Sequence, residues 1–248
     1  MSEAIAVMRR HELKYIIDQN QTDFLIDALK DYMKIDKYGK TSVASIYYDT
    51  TDSRLIRTSL ERPNFKEKIR LRAYNFPVDN NHVFLEVKRK ADGVVYKRRV
   101  ETTTSNVESF FDYKMDLLKQ NQIAKEIAYF RNYYGKLIPK CVIIYDRIAY
   151  DMENSDLRVT FDFNPRYRLD HLSLDYSSDG IPLLDNGLAI LEIKAQDAIP
   201  LWLSHLLDKG KIYKNSFSKY GKVYENSINL GKESSNYVWF NIRKCKFK

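Results

Sequence analysis

The sequence is poor in the residues that build covalent cross-links and soft metal sites. Its 248 residues hold two cysteines, Cys141 and Cys245, and four histidines, His11, His82, His171 and His205. Two thiols so far apart match no zinc spacing and make no disulfide framework, so a reducing, cytoplasmic compartment is expected. The histidines are scattered, which argues against a histidine-based metal centre. His11 falls on the apolar side of its strand, where packing is the simpler role. No run of about 18 apolar residues occurs, so no membrane-spanning helix is expected. The opening MSEAIAVMRRHELKY has only a short apolar run before its charges begin and does not read as a signal peptide. No Pro- or Ser-rich linker and no repeat of fixed period divides the chain. Strands of one kind lie on both sides of a central helical stretch, so one sheet in a single domain over 1–248 is expected.

What the chain does have is aromatic residues and positive charge. With 19 Tyr, 12 Phe and a 44% hydrophobic fraction it can bury a large core. Lys and Arg number 41 against 33 Asp and Glu, a net charge of +8, which points to a polyanionic partner without choosing one.

Period-two alternation marks strands at 9–17, 42–50, 65–74, 82–90, 94–101, 141–151, 157–164 and 188–196, with ADG as the turn of a hairpin between 82–90 and 94–101. Helices are expected after a cap at Asn20 or Thr22, over 105–134 as two segments capped by Ser105 and broken near Asn121, and over 199–209 with Pro200 in the first turn. Residues 215–225 read as an ordered loop or a helix start. In FKEKIRLRAY, Lys66, Lys68, Arg70 and Arg72 share one face, and Ile69 and Leu71 the other. The same division recurs in Arg10, Glu12 and Lys14; in Glu86, Lys88 and Lys90; in Lys97 and Arg99; in Arg158, Thr160, Asp162 and Asn164; and in Glu192 and Lys194. One wet sheet face alternates in this way by default. Wet faces usually mix signs, however. Like charges about 6.6 Å apart on one strand face repel by about 2.5 kcal/mol at an effective dielectric of 20. Repetition over many strands calls for an offsetting ligand. Closure into a barrel turns the charged face into a lumen, suited to a linear polyanion with a divalent metal, triphosphate being the fitting case.

The stretches HELKYII, IYYDTTD, KIRLRAY, FLEVKRK, VYKRRV, YDRIAY, LRVTFD, LEIKAQ and FSKYG, in this order, resemble VTC domains. These are the catalytic domains of the vacuolar transporter chaperone family, within the triphosphate tunnel metalloenzyme (CYTH-like) superfamily. The resemblance covers a core of about 8–225 and leaves 226–248 as a basic C-terminal segment. It implies an α+β fold, a closed antiparallel eight-stranded β-barrel with helices packed outside. It also implies ATP- and metal-dependent synthesis of inorganic polyphosphate. By motif, the catalytic cations are Lys14, Arg70, Arg72, Lys88, Arg147 and Arg158. Lys97, Ser218 and Lys219 bind substrate phosphate, with Arg99 and Lys194 of the same charged faces beside them. Glu192 is the main ligand for Mn²⁺ or Mg²⁺, Glu86 a second and Glu12 a weaker third. Where the wider superfamily opens with E-x-E-x-K, this chain has Arg10 in place of the first Glu, which weakens a hydrolase-type site there.

The reading is a polyphosphate polymerase that passes the γ-phosphate of ATP to a growing chain and releases ADP. Its partners are ATP and polyphosphate or triphosphate, with room for a separate membrane-protein partner. The rivals are a triphosphatase on the same fold, using Glu12, Glu86 or Asp162 to orient water, and a non-catalytic polyphosphate- or nucleotide-binding module. Nucleic acid is not expected, since no stacking-aromatic signature accompanies the basic strands. Lys66, Lys68 and Lys90 are read as entrance residues, and a core or sheet-edge role for Tyr47, Tyr48 and Asp49 is at least as good as substrate contact.

Overall fold

The computed structural model describes residues 11–233, apart from 62, 77, 81, 93, 117–121 and 197. Arg10, Cys245, the expected helix break near Asn121 and most of the basic tail lie outside the described residues. In chain order the elements are β1 (His11–Ile17), α1 (Gln19–Leu29), β2 (Lys34–Ile35), β3 (Thr41–Thr50), α2 (Arg54–Leu60), β4 (Phe65–Tyr74), β5 (Val83–Ala91), β6 (Val94–Thr102), α3 (Thr104–Phe111), α4 (Gln122–Tyr134), β7 (Leu137–Asp151), β8 (Arg158–Arg168), β9 (Ile181–Pro182), β10 (Ala189–Ala195), α5 (Leu201–Lys209) and α6 (Lys219–Glu233).

Every strand pairing is antiparallel. Eight strands follow the order β1-β10-β8-β7-β3-β4-β5-β6, and the short β2 and β9 attach to β7 and β8. The expected closed barrel needs correction. The sheet curls, but among the described residues β1 and β6 do not pair, so the ladder stays open at one seam. Inward side chains of the two ends still meet across the concave face. Lys88 of β5 donates to Glu12 of β1 at 2.7 Å.

The outer face carries the alternating apolar residues. Ile69, Leu71, Leu85, Val87 and Val100 pack under Val107, Phe110 and Phe111 of α3 and Ile127 and Phe130 of α4. On the other half, Tyr15, Val159, Phe161, Leu191 and Ile193 pack under Leu25 and Leu29 of α1 and Leu203 and Leu207 of α5. Each fully buried Leu, Ile or Phe contributes about 1.5–3 kcal/mol, so these two layers fix which face of every strand turns inward.

Several boundaries differ from the sequence expectation. Asp18, not Asn20 or Thr22, caps α1: its carboxylate accepts from Gln21 N while the Gln21 side chain accepts from Asp18 N. Thr103 takes the cap of α3 in place of Ser105. β7 begins earlier than expected, at Leu137, and passes through Pro139 beside a register shift at Tyr47/Tyr48 that leaves Lys140 as an extra residue, the kind of irregularity where a strand tolerates proline. β8 runs on through Pro165 by a second irregularity, where Asn164 adopts φ 46°.

Helices α2 and α6 do not lie outside. They cover the concave face at one end, where Ile56, Tyr220 and Val223 bury the inward side chains Val43, Tyr47, Cys141, Ile143 and Tyr145. No helix among the described residues is long and apolar enough to cross a membrane.

Candidate functional site: a cationic bore

The inward positions of the curled sheet bring the alternating charges together. In strand order β5 and β1 are six places apart, about 29 Å on a flat sheet. The Lys88–Glu12 contact at 2.7 Å therefore measures the curl. Lys14, Lys68, Arg70, Arg72, Lys88, Lys97, Arg99, Arg147, Lys194 and Lys219 gather around Glu12, Glu86, Asp162 and Glu192, ten cations to four carboxylates.

Three clusters share this wall. In the first, Glu86 is 1% exposed and meets Arg70 at 2.7 Å, Lys97 at 2.8 Å, Arg72 at 3.7 Å and Arg99 at 3.8 Å. Arg70 also donates to the Tyr47 hydroxyl at 3.0 Å, and Arg72 to the Tyr145 hydroxyl at 3.3 Å. In the second, Asp162 is fully buried and takes a two-pronged contact from Arg147, at 2.6 and 2.9 Å, with Lys219 on its second oxygen. In the third, Glu12 and Glu192 lie on the neighbouring strands β1 and β10, where Lys14 meets Glu12 at 3.0 Å and Lys194 meets Glu192 at 2.8 Å.

These environments set the protonation states. Burial and the nearby Glu192 raise the Glu12 carboxyl, but Lys88, Lys14 and Lys194 outweigh them and hold it at about 2. Asp162 is raised by burial and brought down to about 2 by Arg147 and Lys219. Glu86 and Glu192 fall below the ordinary carboxylate range for the same reason, burial being overcome by adjacent cations. Lys68 goes the other way. Burial first, then Lys14, Lys88, Lys66 and Arg70, lower it to about 7. It donates to Ser218 at 2.9 Å and has no carboxylate partner among the described residues.

Ser218 and Lys219 reach the bore because α6 starts there. The Ser218 hydroxyl caps the helix by accepting from Gly221 N. The following residue, Tyr220, stacks on Tyr47 and donates to Asp49 at 2.9 Å. Asp49 is fully buried and also accepts from the N–H groups of Thr50, Leu55 and Ile56, which ties α2, β3 and α6 into one unit.

Of the residues singled out from sequence, Arg158 is the register partner of Lys194 but pairs with carboxylates outside the three clusters. It sits at the end of the inward face, held by Asp151 at 2.7 Å and Asp36 at 2.6 Å. Glu86 is separated from the Glu12–Glu192 pair and engaged by its own cations. Lys68 is in the bore, although its sequence position near the strand start suggested the entrance; the parity it shares with Arg70 was the available signal. Tyr145, two residues before Arg147 on the same face, carried the same signal. The roles of Asp49 and Tyr220 depend on contacts 171 residues apart and had none.

A divalent cation suits part of this set. Mg²⁺ and Mn²⁺ are held by one or two carboxylates completed by phosphate oxygens and water. Glu12 and Glu192, two carboxylates in each other's field, fit that need. The described residues contain no cluster of three or more His, Cys, Asp or Glu that could form an all-protein site.

Comparison with known proteins agrees with this architecture. The VTC domain family profile matches residues 9–227. A candidate adenylate cyclase from Bacillus halodurans superposes with a TM-score of 0.54 at 12% identity, over 85% of this chain and 96% of that one. A Hippeastrum candidate adenylyl cyclase with a dominant triphosphatase activity gives 0.53 at 16% identity, over 87% and 95%. At these identities the likeness concerns the fold alone. Comparison with curated proteins gave no match. With a profile match that spans nearly the whole described sheet and a bore lined from the motifs in order, the chain belongs to the VTC domain family.

Proposed function

We propose that the chain is a metal-dependent polyphosphate polymerase, transferring the γ-phosphate of ATP to the end of an inorganic polyphosphate chain and releasing ADP. The observation that carries this reading is the convergence of ten cations on four carboxylates inside one curled sheet. Such a surface matches a linear polyanion several phosphates long. Arg70, Arg72 and Arg147 offer guanidinium groups for equatorial phosphate oxygens, and Lys14, Lys68, Lys88, Lys97, Lys194 and Lys219 offer point charges. Arg99 and Ser218 complete the wall.

Phosphoryl transfer of this kind is positioning and charge stabilisation. The attacking atom is a terminal phosphate oxygen of the acceptor, already ionised, so no general base is needed. The bond from γ-phosphorus to the β,γ-bridging oxygen breaks, and ADP leaves with that oxygen. Glu12 and Glu192 would hold the Mn²⁺ or Mg²⁺ ion, which would supply positive charge to offset that of the phosphates.

The second reading is a triphosphatase, the activity named for the Hippeastrum relative. It requires a carboxylate to orient and deprotonate water. All four inward carboxylates are ion-paired, and Glu12 and Asp162 are held at about 2, which makes them weak bases. That favours an acceptor needing no deprotonation. A cytoplasmic setting accompanies the proposal. Incubation with ATP and Mn²⁺ decides the matter: long-chain polyphosphate with ADP supports the polymerase, and orthophosphate with ADP and no polymer supports the hydrolase.

A further inference from the structure

The hydroxyl groups that face the bore differ in what they meet. Ser45 and Tyr145 accept from Arg72, at 3.4 and 3.3 Å, and Tyr47 accepts from Arg70 at 3.0 Å. A guanidinium stays charged in a protein and takes no proton. Thr160 donates its own proton to the Glu192 carbonyl at 3.3 Å. Among these hydroxyls Ser218 alone meets an amine. Its Oγ lies 2.9 Å from Nζ of Lys68, and a lysine, unlike an arginine, gives up its proton readily when buried. Both residues are half-buried, so neither is sealed from a ligand in the bore.

Lys68 is pressed toward the neutral form from several elements. Burial first, and then Lys14 of β1, Lys88 of β5 and Lys66 and Arg70 of β4, lower it to about 7. On α6 the adjacent Lys219 is bound to Asp162. With Lys68 neutral, the same 2.9 Å contact runs the other way, from the Ser218 hydroxyl to the amine. The oxygen is prepared as well. The Ser218 carbonyl accepts from Lys222 N at 2.8 Å and its Oγ from Gly221 N at 3.1 Å, so it caps the 15-residue helix α6. A backbone N–H and the positive end of a helix stabilise negative charge on that oxygen. A hydroxyl bonded to a neutral amine, with an N–H on its oxygen, is the arrangement of an activated nucleophile.

We propose that Ser218 is a self-phosphorylation site, with a nucleoside triphosphate in the bore as donor and Lys68 as the base. The Ser218 proton passes to the Lys68 amine, and Oγ bonds to the γ-phosphorus. The bond from that phosphorus to the β,γ-bridging oxygen breaks, and the nucleoside diphosphate leaves with the electron pair. The phosphoserine and the Lys68 ammonium then pair with each other, and Lys14, Lys88 and Arg70 offset the remaining charge. The modified bore carries its own phosphate where a free one would sit, so it binds tripolyphosphate more weakly. The inference rests on the triphosphate-binding reading above and holds whether the γ-phosphate otherwise goes to polyphosphate or to water.

The test is incubation of the full chain with Mg²⁺ and ATP labelled in its γ-phosphate, then denaturation in acid and mass mapping of the labelled peptide. Acid strips bound polyphosphate and destroys phosphoramidates but spares a phosphoserine ester. Label is expected on Ser218; it is absent from Ser218→Ala and returns, more slowly, in Ser218→Thr. Bound triphosphate recharges Lys68, so the reacting complex is the fraction that stays neutral. At saturating ATP the labelling rate therefore rises by up to about tenfold per pH unit above 7. Lys68→Met slows labelling at least about 100-fold and flattens that profile. An unlabelled chain that still binds ATP, label on a residue other than Ser218, or an unchanged pH profile in Lys68→Met each overturns the proposal and leaves the bore reading standing. If the chain binds no ATP, both fall together.

Discussion

Lys68 offers the most direct test of the bore's electrostatics. Its ammonium is buried among Lys14, Lys88, Lys66 and Arg70, which lower it from the usual lysine range to about 7. At pH 8 it is therefore about nine-tenths neutral in the empty protein. A bound triphosphate restores the charged form, so binding takes up about 0.9 proton at this site at pH 8, and each pH unit above 7 costs about 1.4 kcal/mol. Between pH 7.5 and 9 the contribution to tripolyphosphate affinity falls about 25-fold. Lys97 is also lowered to about 7 by burial, but 44% of its side chain stays in water, so screening makes its share smaller. Titration calorimetry in two buffers of different ionisation enthalpy reads the proton uptake directly. Lys68→Met should remove about 25-fold of the pH dependence between pH 7.5 and 9 and bind much more weakly than the unaltered protein at pH 6. Stability must move in the opposite direction. The folded value lies below the unfolded 10.5, so between about 7 and 10 the unfolded chain binds the extra proton, and Lys68 adds stability as pH rises through that window. Identical pH slopes for Lys68→Met and the unaltered protein would refute the argument, because the lysine would then be charged throughout.

Three further outcomes follow from the same geometry. Glu86→Gln leaves Arg70, Arg72, Lys97 and Arg99 without their shared carboxylate and should cost about 3–5 kcal/mol in urea unfolding, with tripolyphosphate recovering more stability in the variant than in the unaltered protein. Glu192→Gln should raise the Mn²⁺ concentration for half-maximal ATP turnover at least about tenfold, and Glu12→Gln should do the same to a smaller extent, as metal titrations of the rate will show. Asp49→Ala strips the acceptor from three buried N–H groups and the Tyr220 hydroxyl and should cost about 2–4 kcal/mol, whereas Tyr220→Phe, which keeps the stack on Tyr47, should cost about 1 kcal/mol.

Legibility in the sequence divided along physical lines. The long strands could be read because burial of one face forces strict alternation: Ile69 and Leu71 beneath the helices require Arg70 and Arg72 to point the other way. Ladder closure could not be read, because alternation is the same in a closed barrel and in a curled sheet with a seam. Helix α2 escaped notice since it has only seven residues and its orphan N–H groups are satisfied by Asp49, a carboxylate from the preceding strand, rather than by a local cap; Ser53 at its N-terminus makes no side-chain cap bond. Helix α6 was read only as a possible start at 215–225. Its decisive contacts, Lys219 to Asp162 and Tyr220 to Asp49, join parts of the chain that only tertiary folding brings together. Within the site, parity identified which cations share a face but not which carboxylate each one meets. Glu86 and Glu192 therefore looked alike in sequence, yet one is enclosed by three arginines and a lysine and the other lies beside a second carboxylate.

The ladder register locates where an anion is needed most. Lys68, Lys88 and Lys97 are direct partners across β4, β5 and β6, a row of three ammonium groups at strand spacing. At about 4.8 Å and an effective dielectric of 20, each adjacent pair repels by about 3.5 kcal/mol. Glu12 answers Lys88 and Glu86 answers Lys97, but Lys68 has only the Ser218 hydroxyl, which accepts a hydrogen bond and carries no charge. The empty bore resolves this by letting Lys68 shed its proton; a phosphate in the same place resolves it by supplying the missing counter-ion. Ser218 holds Lys68 at that position from the cap of α6, and Lys219 beside it is already committed to Asp162. A phosphate displacing the Ser218 contact would therefore meet the least compensated charge among these cations, and its binding there would couple occupancy to proton uptake.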